Sequence, residues 1–179
     1  MKTKNEIIIF GGGCFWCTEA IFSSLNGVVS VLPGYSGGHK ENPTYDEVCL
    51  GTTGHAEVVK IEYDPDIISL EALLEVFFIL HDPTTKNRQG NDIGDQYRSV
   101  IFYMSREDKE HIEEFIKILE GRHEYKNPIV TEVKPYSNFY QAENYHKNYY
   151  ARNSEKMYCR AVISPKLLKL KKRFSKFLK

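Results

Sequence analysis

Ile7-Ile8-Ile9-Phe10-Gly11-Gly12-Gly13-Cys14-Phe15-Trp16-Cys17 is the stretch from which the rest of the chain is read. The uninterrupted apolar run at 7–10 is the pattern of a buried strand. Thr18 to Leu25 follows helical spacing and meets a stop at Gly27. The reading is a strand over 6–10, a glycine turn and a helix over 14–25. Both cysteines then fall on the first helical turn, where free backbone N–H groups and the positive end of the helix dipole stabilise a thiolate. The thiolate is the nucleophilic form of cysteine. Glycines allow a sharp turn or close approach to a ligand, which separates Cys14 from an ordinary small buried hydrophobe. Phe15 and Trp16 add an apolar wall suited to an apolar or sulfur-bearing group.

Working outward, Val28–Tyr35 reads as a second strand and Ala56–Tyr63 as a third, stopped by Asp64-Pro65. Residues 36–55, rich in Gly, Asn, Pro and Thr, read as a long ordered loop. Ser69 caps a helix with Leu70, Leu73, Leu74, Phe77 and Phe78 on one face. A second polar loop runs from Asp82 to about Asp95, and Arg98–Met104 reads as a fourth strand. Ser105 and Asp108 form a capping box for a helix carrying Ile112, Phe115, Ile116 and Leu119, with Gly121 as its stop. Ile129–Lys134 reads as a fifth strand and Ala142–Arg152 as a short aromatic helix. Ser164-Pro165 opens a last helix with Leu167, Leu170, Phe174 and Phe177 on one side. Its basic face is expected to be solvated. Strand-helix-strand-strand-helix-strand is the order of a ferredoxin-like split βαβ core. The fold class is therefore α/β of the two-layer α+β kind, with long functional loops and a C-terminal helical extension. No repeat or composition break divides residues 1–179, so one domain is expected. Loops of this length point to a site between them.

Twenty-four basic and 24 acidic residues cancel, which gives no general attraction to nucleic acid or acidic membranes. No apolar stretch is long enough for a membrane span. Met1-Lys2-Thr3-Lys4-Asn5-Glu6 lacks the apolar core and cleavage site of a leader peptide. Four cysteines are too few for a disulfide scaffold, so the expected setting is cytoplasmic, with redox or catalytic cysteines. A monomer is the default.

Cys14 and Cys17 could be a zinc half-site, but Cys49 and Cys159 stand alone and the six histidines lack ligand spacing. No metal, flavin or nucleotide motif is visible, and no cofactor is expected. The Cys-x-x-Cys pair also fits a thioredoxin-like thiol–disulfide oxidoreductase using Cys14 and Cys17. That reading accounts for the cysteines alone. A non-enzymatic module binding methionine-rich partners through the aromatics is a third possibility. Three polar segments remain: Asn42-Pro43-Thr44-Tyr45-Asp46-Glu47-Val48-Cys49, Thr53-Gly54-His55-Ala56-Glu57-Val58-Val59, and His81 to Ser99, which includes Asn91-Asp92-Ile93-Gly94-Asp95-Gln96-Tyr97-Arg98. Taken singly, each is ordinary turn sequence.

Together with Gly-Cys-Phe-Trp, and in the same order, these segments resemble the MsrA family of peptide methionine sulfoxide reductases over residues 6 to 175. The resemblance implies reduction of the S epimer of methionine sulfoxide, free or in proteins, on a ferredoxin-like core recycled by thioredoxin. It implies Cys14 as nucleophile, Glu57 as acid, Tyr45 and Tyr97 as donors to the sulfoxide oxygen, and Asp92 as an orienting group. Phe15 and Trp16 would cage the S-methyl group. Cys159, in Met157-Tyr158-Cys159-Arg160, corresponds to the resolving cysteine of many members, and Cys17 is the alternative. Cys49 is read as a packing residue at a strand edge. The chain lacks the Gly-rich tail with a further recycling cysteine found in one form of the family. Electrons are expected to arrive by thiol–disulfide exchange.

Overall fold

A computed structural model describes residues 5–179. The expectation that residues 1–4 lead straight into a strand with no leader lies outside the described residues. The chain runs through β1 (Glu6–Gly11), α1 (Phe15–Ser23), β2 (Val28–Ser36), α2 (Tyr45–Cys49), β3 (Ala56–Tyr63) and α3 (Leu70–Leu80). It continues through the short hairpin β4 (Arg88–Gln89) and β5 (Asp92–Ile93), then β6 (Val100–Tyr103) and α4 (Arg106–Gly121). The remaining elements are β7 (Glu132–Pro135), β8 (Tyr140–Gln141), α5 (Tyr149–Asn153) and α6 (Ser164–Arg173).

Among the described residues the main sheet has the order β7-β6-β1-β3-β2-β8. Its four central strands are mutually antiparallel where they pair. With β6 as the fourth core strand, they reproduce the expected split βαβ arrangement. β7 adds in parallel to β6, and β8 pairs with β2.

β1 is buried on both faces from Ile8 onward, because alternate side chains enter different apolar clusters, whereas Ile7, expected in the buried run, is exposed at the strand's start. Ile8 and Phe10 join the main core, whereas Ile9 joins a smaller cluster with Val58, Val100 and Phe102. On the main side, Phe10 stacks on Phe77 of α3 at 4.6 Å and meets Phe22 of α1 at 5.3 Å. β3 alternates in the same way: Val59, Ile61 and Tyr63 enter the main core while Val58 points to the other face. Glu57 shares the face of Val59 by this alternation, and so lies on the layer that carries the helices.

The caps at Ser69 and at Ser105/Asp108 form as read from sequence. Other boundaries differ. α4 runs through Gly121, and the left-handed residue that follows is His123, at φ 54°. The fifth strand starts at Glu132, not Ile129. The loop over 36–55 contains α2, and the loop over 82–95 contains the β4–β5 hairpin. The helix expected over 142–152 is broken. A 3-10 turn at Asn144–His146 and α5 are separated by Asn148, whose φ is 51°. The last helix is preceded by a wide π-helical turn at Cys159–Ile163. Its apolar side docks through Leu170 and Phe174 while Lys169, Lys171 and Lys172 are exposed as expected; Lys166 is partly buried. Among the described residues no helix is long and apolar enough to cross a membrane.

Candidate active site

The site forms where β1 turns into α1. Gly13 has φ 95°, open to glycine and strained for other residues. A Cβ there would lie 2.6 Å from Cγ of Gln89. Cys14 is the N-cap of α1, and its carbonyl accepts from the N–H groups of Cys17 at 3.1 Å and Thr18 at 3.4 Å. The N–H of Phe15, free of any helical partner, donates to Oε2 of Glu57 at 3.0 Å. A carboxyl from β3 thus sits against the helix start, beside the cysteine.

Glu57 is 1 % exposed. Burial raises its pKa to about 8; the Phe15 N–H opposes this, while Asp92 and Cys17 add to it. The residue is a protonated acid at neutral pH.

The cysteine chemistry differs from the expectation drawn from helix position. The Cys14 thiol is pushed up, chiefly by burial and also by its hydrogen bond with Cys17 and the charge of Glu57; a backbone N–H offsets only part of this. Desolvation outweighs the helix start, and Cys14 rests as a thiol. Cys17 is brought down to about 7, first by its hydrogen bond with Cys14 and, against burial, by Lys166 and Tyr158. The two thiols share a proton and titrate together.

All four cysteines are free. Cys159, in the π-helical turn, is fully buried and packs with Cys14, Cys17 and Ile163 in one cluster. The Tyr158 hydroxyl donates to Oδ2 of Asp92 at 2.9 Å and lies 3.8 Å from Sγ of Cys17. It ties this segment to the β4–β5 hairpin. Cys49 is not at a strand edge. It ends α2 and is exposed.

Tyr45 opens α2, which is held by a capping box between Thr44 and Glu47. The Tyr45 N–H donates to Oε1 of Glu143 at 2.8 Å. Tyr97 closes the 3-10 turn Asp95–Tyr97. Burial first, then the charge of Glu57, raises the pKa of both tyrosines, so both keep their protons as donors. Phe15 is buried and stacks with Tyr45 at 6.3 Å. Trp16 is half-buried and lies flat on Tyr149 at 3.7 Å.

The structure therefore gathers Cys14, Cys17, Glu57, Tyr45, Tyr97, Asp92, Cys159, Phe15 and Trp16 around one helix start. Sequence reasoning missed Glu143, His146, Tyr149 and Tyr158, which surround Trp16 and Tyr45. The density of aromatics at 145–150 was the available signal. Among the described residues no group of three or more His, Cys, Asp or Glu is placed to hold a metal ion.

A buried acid, two protonated tyrosines and three clustered thiols can protonate an oxygen while a sulfur attacks its neighbour. Comparison with known proteins agrees with that chemistry. The family model described as peptide methionine sulfoxide reductase matches residues 6–178. A peptide methionine sulfoxide reductase MsrA of Saccharolobus solfataricus is 55% identical over 169 residues, covering 94% of both chains. The reduced form of Mxr1 from Saccharomyces cerevisiae superposes with TM-score 0.80 at 35% identity, covering 87% of this chain and 90% of that one. Mxr1 in complex with Trx2 gives TM-score 0.56 at 26% identity, over 82% of this chain and 85% of that one.

Proposed function

The chain belongs to the peptide methionine sulfoxide reductase family, and from that premise we propose how its own residues divide the reaction. It is an oxidoreductase that reduces methionine sulfoxide, rather than a general disulfide carrier. The substrate is the S epimer, free or in proteins. Phe15 and Trp16 hold the S-methyl group; sulfur–aromatic contacts are each worth about 0.3–1.5 kcal/mol. Tyr45 and Tyr97 donate to the sulfoxide oxygen, and Asp92 orients the Tyr158–Cys17 side of the site.

Cys14 sulfur attacks as Glu57 gives its proton to that oxygen, stabilising the charge that develops there. The Cys14 thiol proton restores Glu57. Two electrons pass to the methionine sulfur, its S–O bond breaks, and the oxygen remains on Cys14 as a sulfenic acid. A second thiol displaces it as water and forms a disulfide. Cys17 is the first thiol the sulfenic acid meets, because it lies three residues along α1 in the same buried cluster as Cys14. Cys159, packed in the same cluster, closes the cycle. Thioredoxin then reduces the resulting disulfide; Mxr1, captured with Trx2, is the precedent.

The observation that carries this reading is the buried Glu57 carboxyl on the N–H next to Cys14. Turnover of methyl sulfoxides with dithiothreitol tests it. Activity on neither free nor peptide-bound substrate, or activity confined to the R epimer, would sink it. Cys159→Ser is expected to yield one methionine per enzyme, accumulate a Cys14–Cys17 disulfide and lose thioredoxin-driven turnover. Normal turnover in that variant would move the closing role to Cys17. Residues 1–179 are read as a single catalytic domain, monomeric and cytoplasmic, without a nucleic-acid or membrane partner. The balanced charge supports the exclusion of those partners.

A further inference from the structure

Lys166 is the one lysine of α6 that is not fully exposed. It lies in the crevice where α1, α3 and α6 meet, beside Gly12, Cys17, Thr18, Leu80 and His81. Among the described residues no carboxylate lines this crevice, and the Lys166 ammonium makes no hydrogen bond or ion pair. Lys169, one turn further on, has a partner: its Nζ donates to the Ile79 carbonyl at 2.7 Å. An ammonium drawn partly out of water with no anion to meet it is costly. The cost is explained if an anion forms there during the reaction.

The lining offers one group that can become that anion. His81 cannot: the Phe77 carbonyl, 2.6 Å from Nδ1, only accepts, so Nδ1 donates and Nε2 accepts from the Ser99 hydroxyl at 2.8 Å. Burial, with the Lys166 charge adding to it against the Phe77 bond, lowers the His81 pKa to about 4, and the ring stays neutral. The Thr18 hydroxyl donates to the Cys14 carbonyl at 3.4 Å. Cys17 remains. It is also faced by Cys14 on its own helix, by Tyr158 and Cys159 from the segment before α6, and by the charge of Asp92 on the β4–β5 hairpin. None of these is a cation. After its contact with Cys14, and against burial, the charge of Lys166 is what lowers the Cys17 pKa most.

We propose that Lys166 is a positioning residue for the disulfide step: its ammonium is the counter-ion that holds the Cys17 sulfur as a thiolate beside Cys14. In that step the thiolate attacks the sulfur of the Cys14 sulfenic acid. The S–S bond forms as the S–O bond breaks. The oxygen leaves as water, carrying its own proton and the one Cys17 had released. The Cys17 sulfur is oxidised, the Cys14 sulfur is reduced, and no outside reductant takes part. The proposal rests on the reading of Cys17 as the first thiol to meet the sulfenic acid.

Lys166→Met keeps an apolar stem in the crevice and removes the charge. Titration of the reduced protein, followed by the ultraviolet absorbance of thiolates, should show its most acidic thiol shifted up by about 1 unit. The Cys159→Ser background isolates the disulfide step. There the sulfenic acid is formed with a single equivalent of a methyl sulfoxide, the pH is jumped, and the Cys14–Cys17 disulfide is followed by quenching and mass mapping. With Lys166→Met added, the step should slow about 3-fold at about pH 6, where the thiolate is scarce. At about pH 9 it should run about 3-fold faster than with Lys166, because a less acidic sulfur is the better nucleophile once both are ionised. Lys166→Arg keeps the charge and should match the parent at both pH values. An unmoved thiol titration in Lys166→Met overturns the proposal. So does an equal slowing at both pH values, or the same effect in the Met and Arg variants, either of which would mark a packing role for the stem. If the titration moves but Cys159→Ser forms no Cys14–Cys17 disulfide, the order of the thiols fails and takes this proposal with it.

Discussion

Glu57 is held against the preference of a carboxyl for water, and stability should show it. Below pH 4.5 the group is protonated in both the folded and unfolded chains. Between 4.5 and about 8 the unfolded chain releases the proton and the folded chain keeps it. Folding therefore binds a proton in that window, and each pH unit weakens the native state by about 1.4 kcal/mol. Glu57→Gln should flatten the dependence of the melting temperature on pH between 4.5 and 8 and raise stability at pH 7.5. A slope unchanged in the variant would assign the pH dependence elsewhere. The same substitution removes the acid and should lower kcat about 10²- to 10⁴-fold. In the parent enzyme the chemical step, followed by the methionine burst, should decline as pH rises through about 8. Burial that costs stability at one residue is what keeps a proton on Glu57 for the reaction proposed above.

At the scale of the element, the β1–α1 turn is the most constrained piece. Gly13→Ala meets both a left-handed backbone and Gln89. The amide of Gln89 cannot swing aside freely, since it accepts from the Asp82 N–H and donates to the Asp82 carbonyl, both at 3.0 Å. A loss of more than about 1 kcal/mol is expected, read as a lower urea midpoint at unchanged slope. This turn was legible because three glycines, an apolar strand and a helical pattern adjoin. The Ser69 and Ser105 caps were legible for a similar reason: side-chain oxygens there meet free N–H groups whatever the tertiary context. α2 was not legible. It has five residues and buries only Val48, so it carries no period to detect. Its order depends on the Thr44 cap and on Glu143, almost a hundred positions away. The resting state of Cys14 was misjudged for the same kind of reason: helix position can be read locally, desolvation cannot. The wide turn at 159–163 follows from packing Cys159 and Ile163 beneath α1 and has no counterpart in residue pattern.

For the whole molecule, the sheet acts as a platform whose edge collects groups distant in sequence. β3 and the loops bring Glu57, Tyr45 and Tyr97 to the start of α1, and residues 142–163 close over the thiols. Tyr158 is the clearest fastening of that cover. Tyr158→Phe deletes the bond to Asp92 while keeping the ring against Trp16. Amide exchange over 156–163 is expected to quicken about tenfold, as for loss of one hydrogen bond to a charged acceptor. Unchanged exchange there would place the fastening elsewhere. The cover is also held on both flanks. On one side β8 pairs with β2, and the Ala142 N–H donates to the Pro33 carbonyl. On the other, α6 packs on α1 and α3, and Leu178 bridges to Leu25 next to the Asn26–Phe177 hydrogen bond. A segment fixed at both ends can part from the thiols only as a bowed loop. Its entropy gain on opening is therefore bounded by closure of that loop. Cys159 then stays at an effective concentration on the order of millimolar relative to Cys17 even when displaced. Re-formation of the proposed internal disulfide thus competes with any external thiol, and a reductant that releases the enzyme needs a second thiol of its own to resolve the mixed disulfide before the freed cysteine closes back on it.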